Sequence, residues 1–204
     1  MTESSIGEAQ RSAITFALIL ATILSTVAST IANVVLPQIR ASTGAAQDEI
    51  SWVLTSFILA GAVVTPALGW LEQKFGRRFL LLASIVGFTV SGMLCGLATG
   101  IVELVLFRLA QGAFGAVFIP MSQAILLDIN PPQRHGQAMA LWGIGAVLGP
   151  IIGPVLGGWL AENLTWRWVF FINVPLATVA FFMVAAALPK HEEVEIHKFD
   201  AFGF

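Results

Sequence analysis

Gly145-Ala-Val-Leu-Gly149-Pro150-Ile-Ile-Gly153-Pro154-Val-Leu-Gly157-Gly158 is the stretch from which the rest of the chain can be read. Gly145, Gly149, Gly153 and Gly157 recur every fourth residue, so on a helix they share one face. The residues around them are almost all apolar, which places that helix in lipid. A ridge without side chains lets another helix backbone approach closely. Such small-xxx-small faces drive packing where lipid gives helices no hydrophobic reason to associate. Pro150 and Pro154 each remove a backbone donor and loosen the helix locally. The segment is expected to pack closely and to bend.

Composition agrees with a membrane setting. The 204 residues are 57% hydrophobic and 11% charged, where a soluble domain carries roughly 25% charged residues. Mean hydropathy is +0.86. The net charge of −2 says little, because placement matters more than the sum. Cys95 is alone in an apolar run, so no disulfide framework or cysteine metal site is expected. Residues 1–11 carry Glu3 and Glu8 beside Arg11, and the first apolar run is too long for a signal peptide.

Six apolar segments approach the ~20 residues that a spanning helix needs. They lie at 12–36, 50–70, 79–99, 104–127, 138–160 and 168–188, predicting an all-α membrane protein with six transmembrane helices in one bundle. Residues 1–11 read as a cytoplasmic N-terminus and 189–198 as a charged cytoplasmic linker. Residues 199–204 read as the onset of a seventh span, as in the N-terminal half of a longer protein. With the N-terminus inside, the cytoplasmic side receives Arg11, Lys74, Arg77, Arg78, Arg134, Lys190 and Lys198, and the outside only Arg40 and Arg167. That asymmetry sets the orientation. All six tryptophans, Trp52, Trp70, Trp142, Trp159, Trp166 and Trp168, fall near predicted span ends, as an interfacial belt would have them.

The second and third spans are joined by Gly69-Trp-Leu-Glu72-Gln73-Lys74-Phe-Gly76-Arg77-Arg78. Gly69 and Gly76 permit tight turning, and the basic cluster can meet helix C-termini or acids on a neighbouring segment. A plain positive-inside anchor is the bland alternative; the spaced glycines tip the balance to a gating loop. Within the fourth span, Arg108 is followed one turn later by Gln111 and Gly112. A charge inside a span costs at least about 2.5–3.5 kcal/mol on insertion scales and normally faces the bundle interior. The polar and small neighbours favour that placement over snorkelling.

Thr22, Thr26, Ser29 and Asn33 form a polar stripe on the first span, with Ser25 and Thr30 beside it. Such a stripe either lines an aqueous cavity or supplies hydrogen bonds between helices. Ser122, Gln123 and Asn173 are similar candidates. Gly92, Gly96 and Gly100 form a second fourfold ridge, read as packing alone. No Asp or Glu lies inside the six spans; Glu103 and Asp128 bracket span four, and Glu49 and Glu72 flank span two. His135, His191 and His197 fall in cytoplasmic segments. No paired carboxylates, metal-ligand spacing, activated nucleophile or phosphate-binding loop is visible. An enzyme, a metal, a cofactor and a nucleic-acid partner are therefore not expected.

These motifs together resemble the N-terminal half of a major facilitator superfamily transporter, of the 14-span drug:proton antiporter branch. The resemblance covers nearly all of residues 12–204. Gly69, Gly76, Arg77 and Arg78 match the superfamily's signature loop. Leu106-Phe-Arg108-Leu-Ala-Gln111-Gly112 resembles the span-four arginine motif, which implies a part in proton coupling for Arg108, Gln111 and Gly112. Gly145 to Gly158, with Pro150 and Pro154, resembles the span-five motif typical of antiporters. Ser29-Thr30-Ile-Ala-Asn33-Val-Val-Leu36-Pro37 and Trp166-Arg167-Trp168-Val-Phe-Phe-Ile-Asn173-Val-Pro175 are similar to motifs of this branch. Two positions depart from the pattern. Ala28 stands where many relatives carry an acid, and Gln73 where the loop usually carries Asp.

The resemblance implies two six-helix bundles, each of 3+3 inverted repeats, rocking about a midplane cavity. It implies proton-driven export of amphipathic or cationic compounds across a bacterial inner membrane, with a periplasmic adaptor and outer-membrane channel as partners. An exporter of an endogenous metabolite and a non-transporting membrane subunit are the alternatives.

Overall fold

The computed structural model describes residues 7–188. The 189–198 linker and the 199–204 onset of a further span lie outside the described residues, as do His191 and His197. Six helical spans are long and apolar enough to cross a membrane: Glu8–Thr43, Gln47–Phe75, Arg77–Leu97, Ile101–Ile129, Pro132–Asn163 and Trp168–Ala187, here spans one to six. Most run a few residues past the apolar runs. Helix propagates through polar ends until a terminator intervenes, such as Gly44 with φ 68° after span one.

The packing has an internal symmetry. Span one lies along span five, and span two along span four; span three packs on four, and span six on one; three and six pack on each other. Exchanging one with four, two with five and three with six returns the same set of contacts. That is the arrangement expected of inverted three-helix repeats.

Two apolar cores are stacked along the spans. One gathers Leu18, Leu81, Phe88, Phe118 and Val184; the other gathers Ile39, Val53, Leu104, Trp166 and Phe170. Buried polar residues lie between them on each strand of the packing: Ser56 between Val53 and Phe57, Ser91 between Phe88 and Cys95, Arg108 and Gln111 between Leu104 and Val117, and Asn173 between Phe170 and Ala177. Outward positions such as Ile58, Val63, Val102 and Val155 are exposed, as lipid-facing side chains would be.

Two local expectations are corrected. Gly69 does not turn the chain: it sits inside helix Leu68–Phe75, and the loop reduces to Gly76 alone, with φ 77°. The amphipathic segment after Pro66 simply continues as helix. Gly100 is not on the span-three ridge, because that helix ends at Leu97 and Gly100 caps span four. Trp142 and Trp166 are engaged with other side chains of the bundle. Trp142 donates its indole N–H to Thr22 Oγ1 at 2.9 Å, and Trp166 is buried against Phe170. Span five runs as one continuous helix from His135 to Asn163 and carries both prolines within it.

Candidate functional site

Span four begins at Ile101, so Arg108 lies about 10 Å along the helix from its start. It is fully buried. Its Nε donates to Val53 O at 3.1 Å, and its Nη1 to Gln111 Oε1 at 2.8 Å and Ala28 O at 3.4 Å. The guanidinium lies over the Phe57 ring, 4.3 Å from its centroid, with Phe170 at 5.9 Å. Among the described residues no Asp or Glu forms an ion pair with it. Neutral carbonyls and a ring face therefore hold this cation, drawing on spans one, two and four together. Its Nη2, with Gln111 Nε2 and Ser56 Oγ, is buried without a hydrogen-bond partner.

Gly112 makes the arrangement possible. A Cβ there would strike the Phe57 carbonyl and come within 2.9 Å of Phe57 Cα, so spans two and four touch through backbone. Gly92 gives the same clearance to Gln111, whose Nε2 would be 2.8 Å from an added Cβ. Val53 and Phe57 were not singled out in sequence, because their span meets span four only in three dimensions; Gly92, read there as packing, lies against Gln111. Ala28 carried a signal: it departs from the first-span motif, and its carbonyl faces Arg108.

On the other side of the repeat, the span-five glycines meet span one. Added Cβ atoms would collide with Ile19 at Gly145, Thr26 at Gly149, Thr30 at Gly153 and Ile31 at Gly157. All four glycines are buried, whereas Pro150 is exposed and Pro154 half-buried, so the prolines stand beside the seam and outside it. Thr30 Oγ1 donates across to Gly149 O at 3.4 Å. The first-span stripe divides accordingly. Thr22, fully buried and bonded to Trp142, is a bond between helices and does not line an open face. Thr26 and Thr30 are half-buried on the seam, Ser29 is half-buried, and Asn33 is exposed. Asn173 is likewise buried, donating to Val169 O at 3.3 Å, while Gln123 is half-buried.

At the end of the bundle that holds the N-terminus, the turn at Gly76 aims two arginines differently. Arg77 pairs with both Glu72 and Asp128, tying the span two–three turn to the end of span four. Arg78 donates to Ala185 O at 2.6 Å at the end of span six. The other acids that flank spans two and four are also engaged: Glu49 Oε2 accepts from Ala46 N at 2.8 Å, and Glu103 Oε2 from Thr99 N and Oγ1 at 2.9 Å.

The profile of the Major Facilitator Superfamily matches residues 18–201. The chain belongs to the major facilitator superfamily. It is 42% identical over 185 residues to the multidrug export protein EmrB of Haemophilus influenzae, covering 91% of this chain and 36% of that protein. It is 40% identical over 179 residues to the probable multidrug resistance protein EmrY of Escherichia coli K12, covering 88% and 35%. It is 39% identical over 160 residues to the fatty acid resistance protein FarB of Neisseria gonorrhoeae, covering 78% and 31%. The chain thus spans about a third of the length of the curated relatives it matches.

Superfamily structures share the fold. A D-xylose–proton symporter superposes with a TM-score of 0.77 at 15% identity over 87% of this chain and 48% of its own. A bacterial homologue of the human lysosomal transporter Spinster gives 0.71 at 21% identity, over 95% and 46%. The protein is therefore a multi-pass membrane protein of a transporter family and fold. For a superfamily member, the buried layer around Arg108 and the glycine seam between spans one and five are the elements of interest.

Proposed function

We propose that this chain is the N-terminal six-helix bundle of a proton-coupled exporter of amphipathic or cationic compounds, of the 14-span drug:proton antiporter branch. It sits in a bacterial inner membrane with its N-terminus cytoplasmic. The observation that carries the proposal is the seam at Gly145, Gly149, Gly153 and Gly157, where the bare backbone of span five receives Ile19, Thr26, Thr30 and Ile31 of span one. The names of the multidrug relatives support the same direction.

A bare backbone ridge keeps spans one and five in close contact, so the two helices move together as the bundle rocks. Arg108 serves as a fixed positive charge whose hydrogen bonds reach three spans, so a change at any one of them is felt at the others. A proton arriving on a group of the full protein changes the electrostatic cost of that buried cation, and substrate and proton are coupled through it. Gly76, Arg77 and Arg78 form the gate at the cytoplasmic end, opening and closing as Arg77 exchanges its carboxylate partners. Thr26, Ser29, Thr30, Asn33 and Gln123 are the residues proposed to line the path. Gln73, which lacks the charge of the usual loop Asp, goes with a relative type that feeds a periplasmic adaptor and an outer-membrane channel.

The test is accumulation of unrelated lipophilic dyes by cells lacking their own exporters and expressing the full-length protein, with and without an uncoupler. Lowered accumulation that the uncoupler abolishes is expected. Unchanged accumulation of every dye, with the protein present in the membrane, would leave a metabolite carrier or a non-transporting subunit.

A further inference from the structure

An open groove of about 510 Å³ lies between the first turns of spans one and five. Its volume falls within the roughly 300–1,000 Å³ of small-molecule sites. Its two ends differ chemically. Arg11, Arg134, Ser12, Thr15 and Asn130 line it with Glu8 at the end nearest the N-terminus, and Phe16, Ile19, Leu141, Ile144 and Leu148 line the deeper part. Gly145 forms part of the wall, and its missing side chain leaves Ile19 in contact range.

The charged end is uneven. Glu8 pairs with Arg134 at 3.7 Å, with side chains 88% and 58% exposed, a geometry that binds weakly. Arg11 has no carboxylate or hydrogen-bond acceptor for its guanidinium among the described residues, and its Nε is buried. Among the described residues, one positive charge is therefore without a carboxylate partner at the head of a lane walled by two helices and lined with apolar side chains.

We propose that this groove binds a single-chain amphiphile with an anionic head, its carboxylate on Arg11 and Arg134 and its alkyl chain along Phe16, Ile19, Ile144 and Leu148. A small inorganic anion would leave the apolar wall unused. A cationic amphiphile would place its head against two arginines. The lane is bounded by one face of each helix, which suits one chain. The site stands on binding alone and does not depend on the export reading.

The experiment uses the full-length protein in neutral-lipid nanodiscs and a dodecanoate bearing a photoreactive diazirine. Labelled peptides are mapped by mass spectrometry. The expected result is labelling within residues 11–19 and 141–148, competed by dodecanoate but not by dodecyltrimethylammonium. Arg11→Gln with Arg134→Gln should lower labelling about tenfold, as loss of charge-assisted bonds predicts. Leu148→Trp, which fills the lane without touching charge, should lower it as well. Labelling confined to other spans, or equal competition by the cation, would overturn the proposal. So would competition by phosphatidylglycerol matching that of dodecanoate, which would assign the groove to membrane lipid. Unchanged melting of each variant keeps a folding defect from imitating loss of the site.

Discussion

Arg78 and Arg167 clamp spans three and six reciprocally. Arg78 opens span three and donates to Ala185 O in the last turn of span six at 2.6 Å; Arg167 precedes span six and donates to Ala98 O just past span three at 2.8 Å. The contacts lie at opposite ends of the bundle and exchange under the repeat relation. Each puts a cation on helix carbonyls that lack intrahelical partners. Both contacts join spans three and six directly, so each bears on the stability of the bundle.

Arg78→Gln and Arg167→Gln are each expected to destabilise by about 0.5–2 kcal/mol, the range for a partly buried cation at a helix C-terminus. Separated by the length of the bundle, they should add. Thermal melting of the two single variants and the double variant in one detergent checks this. A double variant no less stable than either single one would show that the clamps are not independent.

The glycines of span five differ sharply in what they touch. At Gly149 an added Cβ meets Thr26 Cβ at 2.6 Å, on a neighbour that is itself seated, whereas at Gly143 nothing lies within 4 Å. Gly149→Ala is expected to cost about 1–3 kcal/mol through overpacking, and Gly149→Leu to impair folding. Gly143→Ala should leave melting within about 0.5 kcal/mol of the parent. Equal melting of all three variants would remove the seam from the account of this fold.

The pattern of legibility follows from where information resides. Six spans are visible because each is a long apolar run, and lipid demands helix there. The fourfold glycine spacing shows a close-packed face without naming its partner. Arg108, Gln111 and Gly112, at spacings of three and one, share a face by helical geometry alone. What receives that face is Phe57 and Val53, from a span whose pairing no local pattern reveals. Trp142 shows the same gap: position near a span end suggests the interface but not Thr22 across the seam, which supplies an acceptor for its N–H. Gly69 misled because a glycine permits a turn without requiring one.

Arg108 separates two effects, charge and shape. Arg108→Lys keeps a cation but loses the planar fork that reaches Val53, Gln111 and Ala28 together. Arg108→Ala removes both. On the proposed function, each variant inserts normally and loses at least about tenfold in uncoupler-sensitive efflux, since an interaction of this type is worth at least about 1.4 kcal/mol. Wild-type efflux by Arg108→Ala, at matched membrane levels, would demote the residue to packing.

Arg77 is shared between Glu72 and Asp128, and sharing predicts non-additivity. Removing one acid leaves Arg77 free to engage the other more fully, so Glu72→Gln and Asp128→Asn should each be mild. Both pairs are partly exposed, with side chains between 28% and 56% accessible, which holds each to about 0.2–1 kcal/mol. The double variant removes both carboxylates from Arg77 and should cost more than the sum. The same logic explains how the turn tolerates Gln73: Glu72, one residue earlier, already supplies the carboxylate. Gln73→Asp is therefore expected to add little to melting in the parent and to rescue part of the loss in Glu72→Gln. A double-mutant cycle on melting, repeated with Gln73→Asp present, checks both statements. Strict additivity, with no rescue, would mean that Arg77 does not link the turn to span four.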